Sequence, residues 1–130
     1  MCIFCEIVSG NIPGSVVYED DQVIAILDLA QVTKGHTLVM PKKHYDNIYD
    51  CDPELLSHLI HVVQKLAVEL TEKLNAGGCN ILSNNNEVAG QSIGHLHFHI
   101  IPRYNSDDID VNFQPKVKYD LSEVLKEIKG

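Results

Sequence analysis

Apolar residues recur every three or four positions across residues 55–74, and the positions between them are mostly polar or charged. This spacing matches the 3.6-residue turn of an α-helix and places the apolar side chains on one face. Asp52 can cap the first turn, Pro53 suits the first helical position, and two glycines, Gly77 and Gly78, follow the last periodic residue. The pattern therefore predicts one main amphipathic helix.

Five shorter segments are rich in β-branched and aliphatic residues, as strands are. They span residues 16–18, 23–27, 37–40, 79–82 and 96–101, and Pro102 is expected to end the last one. The polar turn between the first two segments predicts a hairpin. Asp120 with Glu123 resembles a capping box and precedes a short closing helix. Hairpin-linked strands and two helices predict an α+β fold with an antiparallel sheet of about five strands.

The segment His95-Leu96-His97-Phe98-His99 alternates histidine with apolar residues. Because successive side chains of a strand point to opposite faces, the three histidines share one face and the apolar residues enter the core from the other. Neighbouring histidines then lie about 6.5 Å apart, so they can contact one phosphate-bearing ligand or be divided between two centres. Surface histidines without a function would show the same alternation, so the surrounding sequence must decide.

The chain has 130 residues and a formal net charge of −8, with ten basic and eighteen acidic residues. This balance opposes binding to a long nucleic acid, because neutralising a row of phosphates requires clustered lysine and arginine. A single phosphate group remains compatible, since backbone amides, hydroxyls and imidazoles can hold it. The chain has no internal repeat or linker, so we expect a single domain over residues 1–130.

No apolar run reaches the roughly 18 residues of a membrane helix, and the N-terminal residues lack the pattern of a signal peptide. We therefore expect a cytoplasmic protein that does not contact a membrane. Cysteines in that compartment are expected to be reduced, so the close pair Cys2 and Cys5 indicates metal binding or thiol chemistry before a disulfide. Cys51 and Cys79 are expected to be structural.

Three further motifs accompany the histidine run: Cys2-Ile3-Phe4-Cys5, the block Gly35-His36-Thr37-Leu38-Val39-Met40-Pro41-Lys42-Lys43-His44, and Gly90-Gln91-Ser92. Together they resemble the histidine triad (HIT) family, and the resemblance covers nearly the whole chain. The chain is most similar to the zinc-bearing branch related to nucleoside phosphoramidases. The resemblance implies the HIT-like fold and a homodimer that pairs through the main helix and a strand edge.

The same resemblance implies an enzyme that cleaves purine nucleotide derivatives at the α-phosphate, a nucleotide hydrolase or transferase. His97 would attack the α-phosphorus, and water would then cleave the nucleotidyl-histidine intermediate to release a nucleoside monophosphate. A neutral imidazole is a competent nucleophile near neutral pH, which fits this role. His99 would contact the phosphate or leaving group, and His36 would assist the nucleophile by hydrogen bonding or proton relay.

The residues implied to bind substrate are Asp28, Ile26, Asn84, Gly90, Gln91, Ser92 and His99. Ser92 and nearby amides would hold the nonbridging phosphate oxygens, Asp28 would bind the ribose hydroxyls, and Asn84 would line the pocket. Ile26 shares a strand face with Asp28 and would contact the base. Apolar contact discriminates bases poorly, so we expect derivatives of AMP or GMP to be accepted alike.

The zinc-bearing members of the family imply a ligand set made of Cys2, Cys5, His44 and His95. Tetrahedral Zn²⁺ takes four such ligands, and a set without an open position is structural rather than catalytic. His95 would then be a metal ligand and not the nucleophile.

Two other functions remain open from the sequence. Hydrolysis of dinucleoside polyphosphates would differ only in the leaving group, and the charged C-terminal segment differs from the aromatic tail of animal phosphoramidases. A nucleotide-binding or scaffold protein with vestigial activity is the other alternative. The presence of His97, Ser92 and Asp28 argues against lost chemistry.

Overall fold

A computed structural model describes residues 2–111 and 113–130 of the chain. Its strands are β1 (Val16–Glu19), β2 (Val23–Leu27), β3 (Thr37–Pro41), β4 (Gly78–Leu82) and β5 (Phe98–Arg103). Its helices are α1 (Ile3–Val8), α2 (Pro53–Lys73) and α3 (Leu121–Lys129), with a 3₁₀ turn at Glu87–Ala89. The predictions of an α+β fold, a five-stranded antiparallel sheet, a main helix and a short C-terminal helix are confirmed.

The strands form one sheet in the order β1-β2-β3-β5-β4, and each neighbouring pair is antiparallel. The last strand in sequence, β5, therefore lies between β3 and β4. Leu38 of β3 pairs with His99 of β5, and Ile81 of β4 pairs with Ile100. This insertion carries the histidine segment to the middle of the sheet, next to the start of β3 where His36 lies.

Both faces of the sheet are covered by apolar packing. Helix α2 packs against β3, β4 and β5, and its buried residues join Val39, Leu96 and Ile100 in one core. On the other face, Phe4 of α1 packs with Ile24, Ile26, Leu38 and Met40. Burial on both faces explains why the sequence of β2 is a continuous apolar run and does not alternate with polar residues.

Helix α2 follows the sequence prediction closely. The Asp52 carboxylate accepts a hydrogen bond from the Leu55 amide at 3.1 Å, and Pro53 is the first helical residue. Burying its core residues stabilises the fold by roughly 1.5–3 kcal/mol for each large aliphatic side chain. Asn75 follows the helix with a φ of 56°, a left-handed conformation typical of helix ends. No helix of the described segments is long and apolar enough to span a membrane.

The last strand differs from the prediction at both ends. It begins at Phe98 rather than residue 96, and it runs through Pro102 to Arg103. Pro102 is tolerated because the pairing with β3 ends at Ile100, so no β3 residue requires the missing N–H. The Pro102 carbonyl accepts a hydrogen bond from the Thr33 hydroxyl at 2.6 Å.

Two short helices also refine the sequence picture. Helix α1 was not predicted, and its first turn is capped by the Cys2 sulfur, which accepts a hydrogen bond from the Cys5 amide. At α3, Asp120 caps the Ser122 amide, but the Glu123 carboxylate contacts Lys126 at 3.4 Å. The first half of the predicted capping box is therefore present, while Glu123 contacts a lysine.

Asp20 connects the β1–β2 turn to α2. Its carboxylate accepts hydrogen bonds from the Tyr18 hydroxyl and His58 Nε2, both at 2.7 Å, and from the amides of Gln22 and Val23, both at 2.8 Å. Burial alone would raise the pKa of Asp20, but the bonds from Tyr18, Gln22 and His58 outweigh it and hold that pKa well below 3.8.

Replacing Asp20 with asparagine is expected to lower the free energy of unfolding by about 1–3 kcal/mol near neutral pH. A carboxylate with a lowered folded-state pKa contributes stability above its unfolded pKa of 3.8, and that contribution is lost as the pH falls toward the folded value. Urea unfolding of both proteins near neutral pH and again below pH 3.8 measures the difference, which should shrink in acid.

The exposed neighbour Asp21 gives a matched control, because Asp21→Asn makes the same change in charge. It should alter the free energy of unfolding by less than about 0.5 kcal/mol. Equal destabilisation by the two variants, or a difference independent of pH, would contradict this role of Asp20.

Candidate active site and metal centre

The three histidines of the run lie on one face of the sheet, as the alternation predicts. Phe4 contacts both His95 and His97 edge-on, with ring centroids 5.8 and 5.0 Å apart, and the His97 and His99 rings lie 5.0 Å apart. Leu96, Phe98 and Ile100 enter the core beneath α2. This division holds although His95 and His97 precede the regular part of β5.

His97 is buried and held in one orientation by a backbone carbonyl. Its Nδ1 lies 2.7 Å from the His95 carbonyl oxygen, which can only accept, so Nδ1 carries the proton. The Ser83 hydroxyl donates to the His97 carbonyl at 2.8 Å and anchors the backbone of the same residue. Burial lowers the pKa of His97, more than the hydrogen bond to the His95 carbonyl raises it. The ring is therefore neutral near pH 7, with an unprotonated Nε2.

His36 and His99 form a second pair beside His97. His36 Nε2 lies 2.9 Å from His99 Nδ1, and the two rings stack with centroids 5.2 Å apart. The Val32 amide donates to His36 Nδ1 at 3.5 Å, so His36 Nε2–H donates to His99 Nδ1 and leaves a proton on His99 Nε2. Burial, with the neighbouring His97 and His36, lowers the pKa of His99 to about 4.

Asp28 completes this group, with its Oδ2 3.6 Å from His36 Nε2. The other carboxylate oxygen accepts a hydrogen bond from the Ala30 amide at 2.8 Å, which orients the side chain. Asp28, His36 and His99 are close enough to ligate a metal ion. The hydrogen bond between the two rings occupies the nitrogens that such an ion would require, so we interpret the group as a hydrogen-bonding relay.

A cavity of about 180 Å³ lies over this group, and both polar and apolar residues line it. The sequence-predicted residues that line it are Ile26, Asp28, Ser92, His97 and His99. Further apolar lining comes from Phe4, Ile7, Leu38 and Ile93. Such a combination of apolar walls with a few convergent polar groups is typical of small-molecule sites.

Three of the predicted substrate-binding residues do not line that cavity. Gln91 bonds elsewhere: its side-chain oxygen accepts from the Asn86 amide at 2.8 Å, and its amide donates to the Asp46 carbonyl at 2.6 Å. Asn84 Nδ2 contacts the Gly90 carbonyl at 3.5 Å, and Gly90 has a φ of 97°. These residues shape the loop that presents Ser92, and their contact with a substrate stays a prediction.

Cys2, Cys5, His44 and His95 converge at one end of the same sheet face, and their candidate ligand atoms lie within 4.8 Å of one another. The Sγ to Nδ1 distances are 3.3 Å for Cys2 and His95, 3.3 Å for Cys5 and His44, and 3.5 Å for Cys5 and His95. Sulfur and nitrogen ligands on one tetrahedral zinc ion are separated by about 3.6 Å, given their usual bond lengths. The residues therefore fit such an ion with little rearrangement.

The outer hydrogen bonds of the two histidines agree with this fit. His95 Nε2 lies 2.8 Å from the Pro41 carbonyl, and His44 Nε2 lies 3.0 Å from the Asp46 carboxylate. Each Nε2 therefore donates a proton outward and leaves the Nδ1 lone pair directed at the sulfurs. Burial would raise the pKa of Cys2, but the amide and thiol of Cys5 and the ring of His44 lower it, which favours the thiolate.

His95 belongs to both groups. Its imidazole is one of the four candidate metal ligands, and its carbonyl oxygen determines which nitrogen of His97 carries a proton. A metal ion that immobilises His95 would therefore also immobilise the hydrogen-bond acceptor of His97.

Several residues of the site were missed in the sequence. Phe4 and Ile7 reach the cavity from α1, a helix of six residues whose pattern is too short to detect. Two histidines are oriented by the backbone carbonyls of Pro41 and His95. Every residue has such a carbonyl, so the residue type does not reveal these partners. Asp46 could have been predicted from the sequence, because a carboxylate two residues after His44 is a natural hydrogen-bond partner for that histidine.

Comparison with known proteins gives a consistent picture. The model of the HIT domain matches residues 9–106. An uncharacterized HIT-like protein of Methanocaldococcus jannaschii is 52% identical over 130 residues, which cover 100% of both chains. A crystal structure of a HIT family protein from Bacillus subtilis is 44% identical, with a TM-score of 0.90 over 98% of this chain and 94% of that one.

Two further solved structures bear on metal and nucleotide binding. A zinc-bound histidine triad family protein from Mycobacterium smegmatis is 40% identical, with a TM-score of 0.80 and coverage of 88% and 84% of the two chains. A histidine triad nucleotide-binding protein from Candida albicans is 30% identical, with a TM-score of 0.87 and coverage of 99% and 93%. From its family model, its sequence relatives and its fold, this chain belongs to the HIT family of nucleotide-binding proteins and nucleotide hydrolases.

Proposed function

We propose that the protein hydrolyses purine nucleotide derivatives at the α-phosphate through a nucleotidyl intermediate on His97. The observation that carries this proposal is the unprotonated Nε2 of a buried His97, in a cavity also lined by Asp28, Ser92 and His99. A nucleophile must present a lone pair at neutral pH, and His97 does so without any proton having to be removed.

In the first step, the His97 Nε2 lone pair forms a bond to the α-phosphorus as the bond from phosphorus to the leaving nitrogen or oxygen breaks. His97 keeps its Nδ1 proton, and the resulting positive charge on the ring is stabilised by the His95 carbonyl. Ser92 lines the cavity, and we propose that its hydroxyl holds a nonbridging oxygen of the same phosphate.

The leaving group takes one proton in this step, and the His36–His99 pair is placed to carry it. A bound phosphate brings negative charge next to His99 and raises its affinity for a proton, which offsets the lowering caused by burial. The pair therefore takes up one proton from solvent when substrate binds and becomes cationic. His99 Nε2–H can then donate to the leaving atom, which returns the pair to its neutral form. In the second step, water attacks phosphorus, its proton returns to the pair, and the phosphorus bond to His97 breaks to release the monophosphate.

The remainder of the cavity suits a nucleoside. Ile26, Phe4 and Leu38 provide apolar surface for a purine, and contact of this kind supports acceptance of both AMP and GMP derivatives. The Asp28 carboxylate lines the same cavity and lies 3.6 Å from His36 Nε2, and we propose that it accepts hydrogen bonds from the ribose hydroxyls.

We also propose that Cys2, Cys5, His44 and His95 hold a structural Zn²⁺. When bound, the ion links the N-terminal helix to β3 and to the segment before β5, and the four ligands leave no open position for substrate. We further propose that residues 1–130 form one cytoplasmic domain. Support for that compartment comes from the pairing of Cys2 and Cys5 as metal ligands, which requires reduced thiols.

A homodimer completes the proposal. Exposed apolar residues on α2 and the adjoining edge strand β4 support it, because Ile60, Val68 and Ile81 all project from one side of the sheet into solvent. Covering such a surface with a second copy would remove both the exposed residues and the unpaired strand edge.

The test is AMP release from adenosine phosphoramidate and from diadenosine tetraphosphate by zinc-loaded protein. Turnover of either substrate supports the proposed chemistry, and the preferred one separates a phosphoramidase from a polyphosphate hydrolase. Turnover of neither, with nucleotide binding retained, would leave a nucleotide-binding protein and contradict the proposal.

The role of Asp28 predicts a preference for ribose over deoxyribose. Removing the 2′-hydroxyl from the substrate is expected to lower kcat/KM by about 10- to 100-fold, which corresponds to the loss of one hydrogen bond to a charged acceptor. In Asp28→Ala the ratio between the two substrates should fall toward one, whatever the loss in absolute rate. An unchanged ratio in Asp28→Ala would contradict ribose binding by this carboxylate.

A further inference from the structure

One side chain, that of Gln31, bonds to both ends of the loop that carries two candidate site residues. Residues 28–36 connect β2 to β3, and we call them the 28–36 loop. Asp28 is the first residue of this loop and His36 is the last. Gln31 lies between them, and its side-chain amide makes three hydrogen bonds to the backbone of the same loop.

The three hydrogen bonds of Gln31 are short. Its Nε2 donates to the Asp28 carbonyl at 2.6 Å and to the His36 carbonyl at 2.7 Å. Its Oε1 accepts from the Gly35 amide at 2.7 Å. A carbonyl can only accept and a backbone N–H can only donate, so these partners determine which end of the side-chain amide is the nitrogen. Both hydrogens of that nitrogen are used, one at each end of the loop.

Few side chains can make this set of bonds. It requires two donors and one acceptor in one planar group, at the end of a side chain of this length. An ionised glutamate has no donor, a lysine has no acceptor, and an asparagine is one methylene shorter. Gln31 is exposed, so burial of its side chain does not account for its place in the loop. The hydrogen bonds to the loop backbone do.

The outer part of the 28–36 loop is fixed to β5 by two other bonds. The Thr33 hydroxyl donates to the Pro102 carbonyl at 2.6 Å, and the Tyr104 hydroxyl donates to the Lys34 carbonyl at 2.6 Å. Strand β5 also carries His99, so these bonds hold the loop against the strand that supplies the second histidine of the relay. The bonds of the glutamine then determine where the two ends of the loop lie relative to this fixed part.

The spacing of the loop ends controls two features of the candidate site. The Asp28 amide donates to the His36 carbonyl at 2.9 Å, and Asp28 Oδ2 lies 3.6 Å from His36 Nε2. The Val32 amide, next in sequence to Gln31, donates to His36 Nδ1 at 3.5 Å. That bond leaves the proton of His36 on Nε2, which lies 2.9 Å from His99 Nδ1. Displacement of the backbone around Gln31 would disturb both the spacing and the tautomer.

We propose that Gln31 is a positioning residue for the reaction proposed above. Its side-chain amide holds the backbone of Asp28 and that of His36 at one separation, which places the ribose-binding carboxylate against the histidine pair. This inference rests on the proposed function, because it assigns Gln31 to the support of that same site. Gln31 acts through backbone atoms and needs no contact with the substrate.

The experiment compares wild type with three full-length variants, all loaded with zinc. Gln31→Met keeps the length of the side chain and removes all three hydrogen bonds. Gln31→Glu, ionised at neutral pH, keeps the acceptor for the Gly35 amide and removes both donors. Gln64→Met makes the methionine substitution at an exposed position of α2, outside the loop.

Three measurements are made on each protein. Two-dimensional ¹⁵N NMR of the histidine rings assigns the tautomers of His36, His97 and His99. Hydrogen exchange gives the protection of the Gly35 amide, which should be retained in Gln31→Glu and lost in Gln31→Met. Steady-state kinetics with adenosine phosphoramidate gives kcat.

We expect both Gln31 variants to lower kcat about 10- to 100-fold, as loss of groups that orient a site does, and to give mixed tautomers at His36. The tautomer of His97 depends on the His95 carbonyl and should not change, which separates this role from a general loosening of the fold. Gln64→Met should match wild type in every measurement.

The proposal is overturned if the His36 ring signals of either Gln31 variant match those of wild type, or if the His97 signals change with them. It is also overturned if an active wild type and Gln31→Met differ in kcat by less than about threefold. A wild type without turnover would contradict the proposed activity, and the ring signals alone would then decide whether Gln31 positions His36. The two failures are therefore distinguishable.

Discussion

His97→Ala is expected to reduce AMP release from adenosine phosphoramidate by about 10⁴-fold or more, because covalent catalysis cannot proceed without the nucleophile. The substitution removes the Nε2 lone pair but leaves the cavity, Asp28 and the His36–His99 pair in place. Nucleotide binding should therefore persist, with a dissociation constant for AMP within about tenfold of wild type. Steady-state kinetics and AMP titration measure the two effects separately.

The control is His61→Ala, which removes an exposed imidazole from α2 on the other side of the sheet. Its turnover should equal that of wild type. Rapid quenching of wild type into alkali, followed by mass spectrometry, should show a transient adduct of AMP on His97. Turnover by His97→Ala within tenfold of wild type, or an adduct on another residue, would exclude the nucleotidyl-histidine route.

Features that depend on residues close together in sequence were predicted correctly, whereas a feature that depends on a distant segment was not. Helix α2 was predicted with its cap and first residue because its apolar period and the Asp52–Pro53 pair are local signals. The division of residues 95–100 into a histidine face and a core face was also predictable, since extended backbone alternates sides. Pro102 was misjudged because its tolerance depends on where β3 stops pairing, which is information from a distant segment.

The candidate site shows the same limit at the level of atoms. Residue types identified Asp28, Ser92, His97 and His99, which line one cavity. Gln91 belongs to the same motif, but its side chain bonds to the Asp46 carbonyl and the Asn86 amide. A glutamine that could hold a phosphate and one that supports a loop look alike in sequence, because the difference lies in where backbone donors and acceptors fall.

The sequence could not predict which ring nitrogen of each histidine carries a proton. Each tautomer is determined by a partner of the ring, and the partners of His97 and His95 are backbone carbonyls of His95 and Pro41. Every residue has such a carbonyl, so no residue type marks it. The assignment of His97 as a nucleophile with a free Nε2 consequently required the fold.

Loss of the metal centre is expected to be the second large effect. Cys5→Ala should lower the free energy of unfolding by about 4 kcal/mol, in the range of the most damaging single substitutions, because it removes one ligand and leaves the others unsatisfied. Thermal unfolding with measurement of bound zinc provides the test, and wild type treated with a chelator should resemble the variant. Cys79→Ala, which removes a thiol outside the cluster, should retain one zinc per chain and lose about 1 kcal/mol.

Metal loss should also lower activity in protein that is still folded, because His95 serves both groups. Without the ion, its ring keeps the bond to the Pro41 carbonyl and the contact with the Cys2 sulfur, both weaker restraints than a metal bond, and its own carbonyl becomes a less rigid acceptor for His97 Nδ1. We expect kcat to fall about 10- to 100-fold at a temperature where Cys5→Ala remains folded. Losses of this size are typical when the groups that orient an active-site residue are removed. Full kcat in a folded, zinc-free variant would show that the metal centre stabilises the fold without orienting the nucleophile.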